Sequence, residues 1–197
     1  VILYLVPGNL VGVNLCVNFT NCLGGCLFWS GHGGNYSTCR ARVIKTLGLL
    51  FWPDLFKARL QRDVALAKKN CRAAGKTMVL RLNGTTDLHP RRFGIDEDPE
   101  IVRYEYTKCL AFALKPSHGV HYTYSFYGNV EEAKQALKAG VNVTIVTNKE
   151  GVLPQWAIDS GRPVVDGDAH DLRFLDPKGC IVALKAKSGG FSQSHRK

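Results

Sequence analysis

The chain has 197 residues, of which 45% are hydrophobic, so it is long enough for one well-packed domain but short for two. Its longest apolar runs fall well below the ~20 residues that a membrane-spanning helix needs, so the sequence predicts no membrane insertion and a cytoplasmic protein. The formal charge of +10 favours polyanionic partners, nucleic acid first. The opposing interpretation is that the basic residues of 57–72 form only the solvated face of a helix.

Strand-like and helix-like segments alternate along the chain. A first strand is predicted at 1–6, followed by a cysteine-bearing loop at 14–39 and a helical region at about 37–74, which Pro53 interrupts. Further strands are predicted at 77–82, 101–106, 121–126, 141–147, 163–165 and 180–185, with a helix at 130–139. This alternation predicts an α/β fold, either a partial (βα) barrel or an open, mainly parallel sheet with flanking helices. We expect a single domain over 1–187 and a basic flexible tail at 188–197.

Polar side chains follow most of the predicted strands, at the point where each strand ends. In parallel α/β folds the carboxyl ends of the strands share one edge, and ligands bind there. The candidate binding residues on this edge are Asn83, Thr85, Asp87, Lys108 and Ser125. Asp168 and His170 follow the strand at 163–165 and are the candidates for proton transfer. Each segment alone is equally consistent with an ordinary turn. Several such segments are predicted to lie on the same edge, however, and this favours a binding site.

The densest set of soft metal ligands lies near the start of the chain. Cys16, Cys22 and Cys26 occur within eleven residues, and Cys39 follows a glycine-rich stretch. In a reducing compartment, clustered cysteines bind metal or perform chemistry more often than they form disulfides. Three thiolates fit an iron–sulfur cluster with one open iron, and a fourth from Cys39 would fit a four-cysteine site for zinc or a cluster. The alternative is that these are buried apolar thiols.

Two further segments have possible ligand-binding chemistry. The glycine run Gly31-His-Gly-Gly34 precedes the long helix, and its backbone amides, with Arg40, Arg42 and Lys45 on the first turns, could hold a phosphate or carboxylate. The chain's densest acidic group includes Asp166, Asp168 and Asp171, which could bind a divalent cation or form ordinary surface turns.

Several of these segments together resemble the phage protein family named after mycobacteriophage "gene product eighty-eight". The matching motifs are Asn14-Leu-Cys16, Gly25-Cys-Leu27, Gly31-x-Gly33, Ala41-Arg42 with Lys45-Thr46, Arg81-Leu-Asn-Gly-Thr-Thr-Asp87, Tyr106-Thr-Lys108, Asp166-Gly-Asp168 and Asp171-Leu-Arg-Phe-Leu-Asp-Pro177. The resemblance implies a phage-encoded protein acting in the host cytoplasm. A more distant similarity, in the order of a cysteine loop followed by a strand and a Thr-Asp turn, is to phage proteins that look like radical S-adenosylmethionine enzymes.

The leading hypothesis is therefore an α/β phage enzyme with a cysteine-bound iron–sulfur cluster and S-adenosylmethionine as its cofactor. In this interpretation Cys16, Cys22 and Cys26 hold the cluster, the turn at 83–87 contacts the cofactor, and Asp168 or His170 handles protons. One alternative is a basic nucleic-acid-binding protein with structural zinc. Another is a nuclease-like hydrolase that uses Asp166, Asp168 and Asp171 with a divalent cation.

Overall fold

The computed structural model describes residues 1–8, 10–19, 26–29, 31–147 and 150–186. The predicted ligand Cys22 and the predicted tail at 188–197 lie outside the described residues. In the part of the chain that is described, no helix is both long enough and apolar enough to cross a bilayer.

Two long helices occupy most of the first helical region. Helix α1 spans Tyr36–Phe51 and α2 spans Pro53–Ala73, with Trp52 between them. Proline is favoured at the first position of a helix because it has no N–H to leave unpaired, so Pro53 ends one helix and starts the next. The predicted interruption at Pro53 is confirmed.

Six strands form one sheet in which every pairing is parallel. The strands are β1 Met78–Leu80, β2 Ile101–Thr107, β3 Val120–Ser125, β4 Val143–Thr147, β5 Val164–Asp166 and β6 Ile181–Lys185. Their order across the sheet is β1-β2-β3-β4-β6-β5. Three shorter helices flank them: α3 Leu110–Leu114, α4 Val130–Lys138 and α5 Gln155–Asp159. The α/β prediction, with its mainly parallel sheet, is confirmed.

The segment 1–5 extends the sheet beyond β1. Ile2 forms a parallel bridge with Arg81, and the Leu3 N–H donates to the Arg81 carbonyl at 2.8 Å. The segment runs in the same direction as the strands, so the residues that follow it enter the carboxyl edge of the sheet. This pairing brings the cysteine-bearing segment beside the end of β1.

The two faces of the sheet differ in chemistry. One face holds two apolar clusters, the first of which packs under α1 and α2 and includes Leu5, Leu49, Val64, Met78, Leu80 and Ile101. The second packs under α4 and includes Tyr124, Ala133, Leu137, Val143, Ile145 and Ile181. Because successive strand side chains point to opposite faces, Arg81, Tyr104 and Tyr106 project from the other face, where the segment after β5 packs against them.

Candidate functional site

The turn that follows β1 is held by its own side chains. The Asn83 amide oxygen accepts hydrogen bonds from the Thr86 hydroxyl and from the Leu88 N–H, both at 2.9 Å. The Asn83 amide nitrogen donates to the Leu88 carbonyl at 2.9 Å. With all these bonds made inside the turn, Asn83 fixes the shape of the segment 83–88 rather than presenting a free amide to a ligand.

Asp87 joins the ends of β1 and β2. Its carboxylate accepts from the Thr107 hydroxyl at 2.8 Å and from the Lys108 N–H at 2.7 Å, and only 9% of the residue is exposed. Burial raises the pKa of the Asp87 carboxyl, and the hydrogen bonds from Lys108 and Thr107 act in the opposite direction. The predicted residues Asp87 and Lys108 therefore lie together at the carboxyl edge.

A second buried acid supports the same turn from β2. The Glu105 carboxylate accepts from the backbone N–H groups of Leu82 at 2.6 Å and Asn83 at 2.9 Å. Burial raises the pKa of Glu105 to about 7, although both of these hydrogen bonds lower it. The backbone of the turn after β1 is thus anchored to β2 by a carboxyl group that titrates near neutral pH.

The cysteine-bearing segment contacts this turn through Cys16. The Cys16 thiol donates to the Thr85 carbonyl across 3.3 Å, and the Thr85 hydroxyl donates to the Leu5 carbonyl at 2.5 Å. Burial raises the pKa of Cys16 to about 11, and the charges of Lys108, Asp87 and Cys26 also act on it. The predicted ligand Cys16 therefore lies within electrostatic reach of the predicted residues Asp87 and Lys108.

The other predicted cysteine ligands are distributed around this contact. Cys26 is half-buried and acts electrostatically on Cys16. Cys39 lies in the first turn of α1, where its thiol donates to the Gly33 carbonyl across 3.3 Å. Within the described residues, no three His, Cys, Asp or Glu side chains come close enough to hold a metal ion, and Cys22 is not among those residues.

The polar face of the sheet carries a separate charged cluster. The Asp171 carboxylate accepts from Arg81 at 3.1 Å, from the Tyr104 hydroxyl at 2.7 Å and from the Tyr106 hydroxyl at 2.9 Å. The Arg81 guanidinium also lies 4.5 Å from the centre of the Tyr106 ring. Desolvation raises the pKa of both tyrosines, so their hydroxyls remain hydrogen-bond donors at neutral pH.

Three predicted site residues lie beyond these contacts. Ser125 ends β3, where it pairs in register with Thr144. The Asp168 carboxylate accepts from the Lys185 N–H at 2.8 Å, and His170 Nδ1 accepts from the Leu172 N–H at 3.2 Å. Asp168 and His170 are both exposed, and the His170 ring bonds within its own turn, whereas the Lys185 that bonds to the Asp168 carboxylate belongs to β6.

A model of the family described as Gene product 88 matches residues 2–197. The chain belongs to the Gene product 88 family. No curated protein and no solved structure matches the chain. The predicted resemblance to this phage family is confirmed, whereas no finding supports the more distant similarity to radical S-adenosylmethionine proteins.

The carboxylates proposed for a nuclease-like site do not converge in this member of the Gene product 88 family. Asp171 contacts Arg81 and two tyrosines on the polar face, while Asp168 contacts the backbone of Lys185 and Asp166 accepts from the Asp168 N–H at 2.9 Å. Metal-dependent hydrolysis requires carboxylates aimed at one ion. The geometry therefore favours other functions over this one.

Many basic residues of α2 have acidic partners. Lys57 pairs with Asp54 and Arg59 with Asp63, while Lys68 and Arg72 both contact Glu100. Exposed pairs contribute little to stability, but they reduce the positive potential that a polyanion would meet. The geometry of this helix agrees with the solvated-face interpretation, and binding to nucleic acid stays a prediction.

Sequence reasoning did not single out Glu105 and Arg81 as site residues, although Arg81 is part of the family motif. A signal was present in β2, whose sequence Ile101-Val-Arg-Tyr-Glu-Tyr-Thr107 places charges at alternate positions of an otherwise apolar or aromatic strand. A charged side chain on the helix-covered face of a sheet must have a specific partner. That rule identifies Glu105 as buried and bonded, but it does not identify the turn that it holds.

Proposed function

We propose that this phage protein binds an iron–sulfur cluster at the carboxyl edge of its first strands, with Cys16, Cys22 and Cys26 as ligands. The observation that carries the proposal is the contact of Cys16 with the turn 83–87. Through this contact the Cys16 thiol comes within electrostatic range of Asp87 and Lys108, which supports the proposal.

The chemistry of the described donors fits such a cluster in part. Two of the three proposed thiols, Cys16 and Cys26, interact electrostatically, and the third, Cys22, belongs to the segment between them. In the metal-free chain Cys16 is a protonated thiol that donates to the Thr85 carbonyl. Metal ions deprotonate coordinating thiols, so cluster binding would replace this hydrogen bond.

The chain's own residues have distinct roles in this proposal. Asn83 and Glu105 hold the turn, since their hydrogen bonds are made within it or to its backbone. Asp87 ties this turn to the end of β2 by accepting from Thr107 and from the Lys108 N–H, and the charge of Lys108 acts on Cys16. The cluster, when bound, would supply electron transfer. S-adenosylmethionine is the proposed small-molecule cofactor, with Lys108 as the candidate cation to contact it.

Anaerobic reconstitution tests the cluster. The full chain, incubated with iron and sulfide, is expected to develop a broad absorption band near ~400 nm and to retain iron and sulfide after desalting. Cys16→Ser is expected to lose most of the bound iron. Cys71→Ser is the matched control, because Cys71 packs partly buried against the apolar cluster under α2 and is expected to retain the iron.

Two results would contradict the proposal. One is a colourless protein that carries stoichiometric zinc, which would support the structural-zinc alternative instead. The other is equal iron content in Cys16→Ser and Cys71→Ser, which would mean that iron binds without the proposed ligand. Calorimetric titration of the reconstituted protein with S-adenosylmethionine tests the cofactor separately, and absence of binding would remove that part alone.

A further inference from the structure

Arg42 is a buried cation on α1 with almost no hydrogen bonding. Only 7% of the residue is exposed. Its guanidinium donates through Nη1 to the Phe28 carbonyl at 3.2 Å, and Nε is buried without a hydrogen-bond partner. The rings of Tyr4 and Phe28 lie 4.9 Å and 5.1 Å from the guanidinium carbon. Aromatic contacts partly compensate a buried cation, but they do not satisfy its N–H donors.

The other buried arginines in the described part of the chain show how such a charge is normally balanced. Arg81 pairs with Asp171 at 3.1 Å, and Arg173 lies 3.3 Å from Asp176. Arg103 donates to two backbone carbonyls, and the charge of Glu105 acts on it. Each of these guanidinium groups therefore has an acidic residue as a neighbour.

Arg42 has no acidic residue to balance it. Among the described residues no carboxylate forms an ion pair with it. Residues 1–53 contain no Asp or Glu at all, so the segments nearest to Arg42 in sequence cannot supply a partner. Lys45, half-buried on the same helix, adds further positive charge. An uncompensated buried charge is costly, so proteins rarely keep one without a function.

The glycine turn before α1 adds a second positive feature at the same place. A Cβ atom on Gly33 would lie 3.3 Å from Arg42 Nη1 and 2.8 Å from the Phe28 carbonyl oxygen, so the guanidinium sits against this turn. Helix α1 has no acidic residue in its first turn, and Asn35 makes no side-chain cap bond. The positive end of the helix dipole and the guanidinium charge therefore reinforce each other at a place where residues 1–53 provide no acidic side chain.

We infer that Arg42 and the turn Gly31–Gly34 form a binding site for an oxyanion, the phosphate or carboxylate group of a small-molecule ligand. The Nε side of a guanidinium offers two parallel N–H donors, which suit two oxygens of either group. Glycine at position 33 is required because any side chain would collide with Phe28 and Arg42. The site uses no cysteine, so it stands whether or not the proposed cluster forms.

Calorimetric titration with inorganic phosphate and with acetate, at constant ionic strength in chloride buffer, tests the site on the full chain. The wild-type protein is expected to bind at least one of the two anions saturably. The anion that binds more tightly identifies the ligand group. Arg42→Lys keeps the positive charge but loses the bidentate pair of N–H donors, so it is expected to weaken anion binding on the order of tenfold. Arg42→Met is expected to abolish saturable binding.

Arg62→Met is the matched control, since Arg62 is exposed on α2 and its loss is expected to leave the dissociation constant unchanged. Cys16→Ser is expected to bind the anion as the wild type does, which separates this site from the proposed cluster. The inference is overturned if neither anion binds the wild type, or if Arg42→Lys binds as tightly. Should Arg42→Met fail to fold by circular dichroism, the Arg42→Lys result decides.

Discussion

The two halves of the sheet's carboxyl edge look alike in sequence and differ in structure. After β1 and β2 the polar residues are buried, with Asn83 at 4% and Asp87 at 9% exposure, and their hydrogen bonds join separate strands. After β5 the polar residues Asp166, Asp168 and His170 are exposed, although the Asp168 carboxylate accepts from the Lys185 N–H of β6 and His170 contacts Leu172 and Arg173 in its own turn. A bond to another strand is therefore not enough to indicate a site, and the two halves differ in whether the bonded polar residue is also buried.

Substitution of Asp87 and of Asp168 tests this comparison most directly. Asp87→Ala is expected to lower the free energy of unfolding by about 3 kcal/mol, because it leaves the Thr107 hydroxyl and the Lys108 N–H without their buried acceptor. Asp168→Ala removes the acceptor of the Lys185 N–H at an exposed position, so its expected cost is below about 1 kcal/mol. Urea denaturation of both variants measures the difference, and equal losses would show that the two halves of the edge do not differ in stability.

The contribution of Glu105 to the stability of the buried half of the edge is expected to depend on pH. Its pKa is raised to about 7 in the folded protein from about 4.5 when unfolded, so the folded state holds the proton more tightly. Stability from this group is therefore fully present below about pH 4.5 and is lost as the pH rises to about 7. We expect a loss of about 3 kcal/mol as the pH rises from about 4.5 to above 7.

Urea denaturation across that pH range, on the wild type and on Glu105→Gln, isolates the contribution of Glu105. The glutamine variant does not titrate at this position, so the difference between the two stability curves is expected to change as the pH rises from about 4.5 through 7 and to level off above about pH 8. Histidine titration is common to both proteins and cancels. A constant difference across the range would mean that Glu105 has an ordinary pKa.

The smallest expected effect concerns the ion pair on the polar face. A double-mutant cycle with Arg81→Met and Asp171→Ala is expected to give a coupling energy of about 1 kcal/mol, because the Asp171 side chain is 45% exposed and water screens the pair. The unfolding free energies of both single variants and the double variant supply the cycle. Additive losses would show that Asp171 and Arg81 act independently.

Much of the fold could be predicted because it depends on local patterns. The period of apolar residues located α1 and α2, Pro53 marked their boundary, and runs of β-branched residues located strands such as β4. The sequence motifs identified the Gene product 88 family. The order of the strands was not predicted, because pairings such as β4 with β6 depend on contacts between distant residues.

The candidate site was predicted less completely than the fold. Asp87 and Lys108 could be selected because each follows a strand, and strand ends meet at one edge. The contact between Cys16 and Thr85 joins residues 69 positions apart, and that between Arg81 and Asp171 joins residues 90 apart. No local pattern carries such information, and the burial of Arg42 without a counter-ion also depends on how distant segments pack.

The position of the segment 1–5 beside β1 has a consequence for the order of folding. Leu5 meets Thr85 across 80 residues of sequence, and contacts of such long separation form late because the loop between them must first be closed. During synthesis, Cys16 also leaves the ribosome well before the turn at 83–87 that contacts it has been made. During refolding, Cys16 is expected to stay open to alkylation until this outermost segment has joined the sheet.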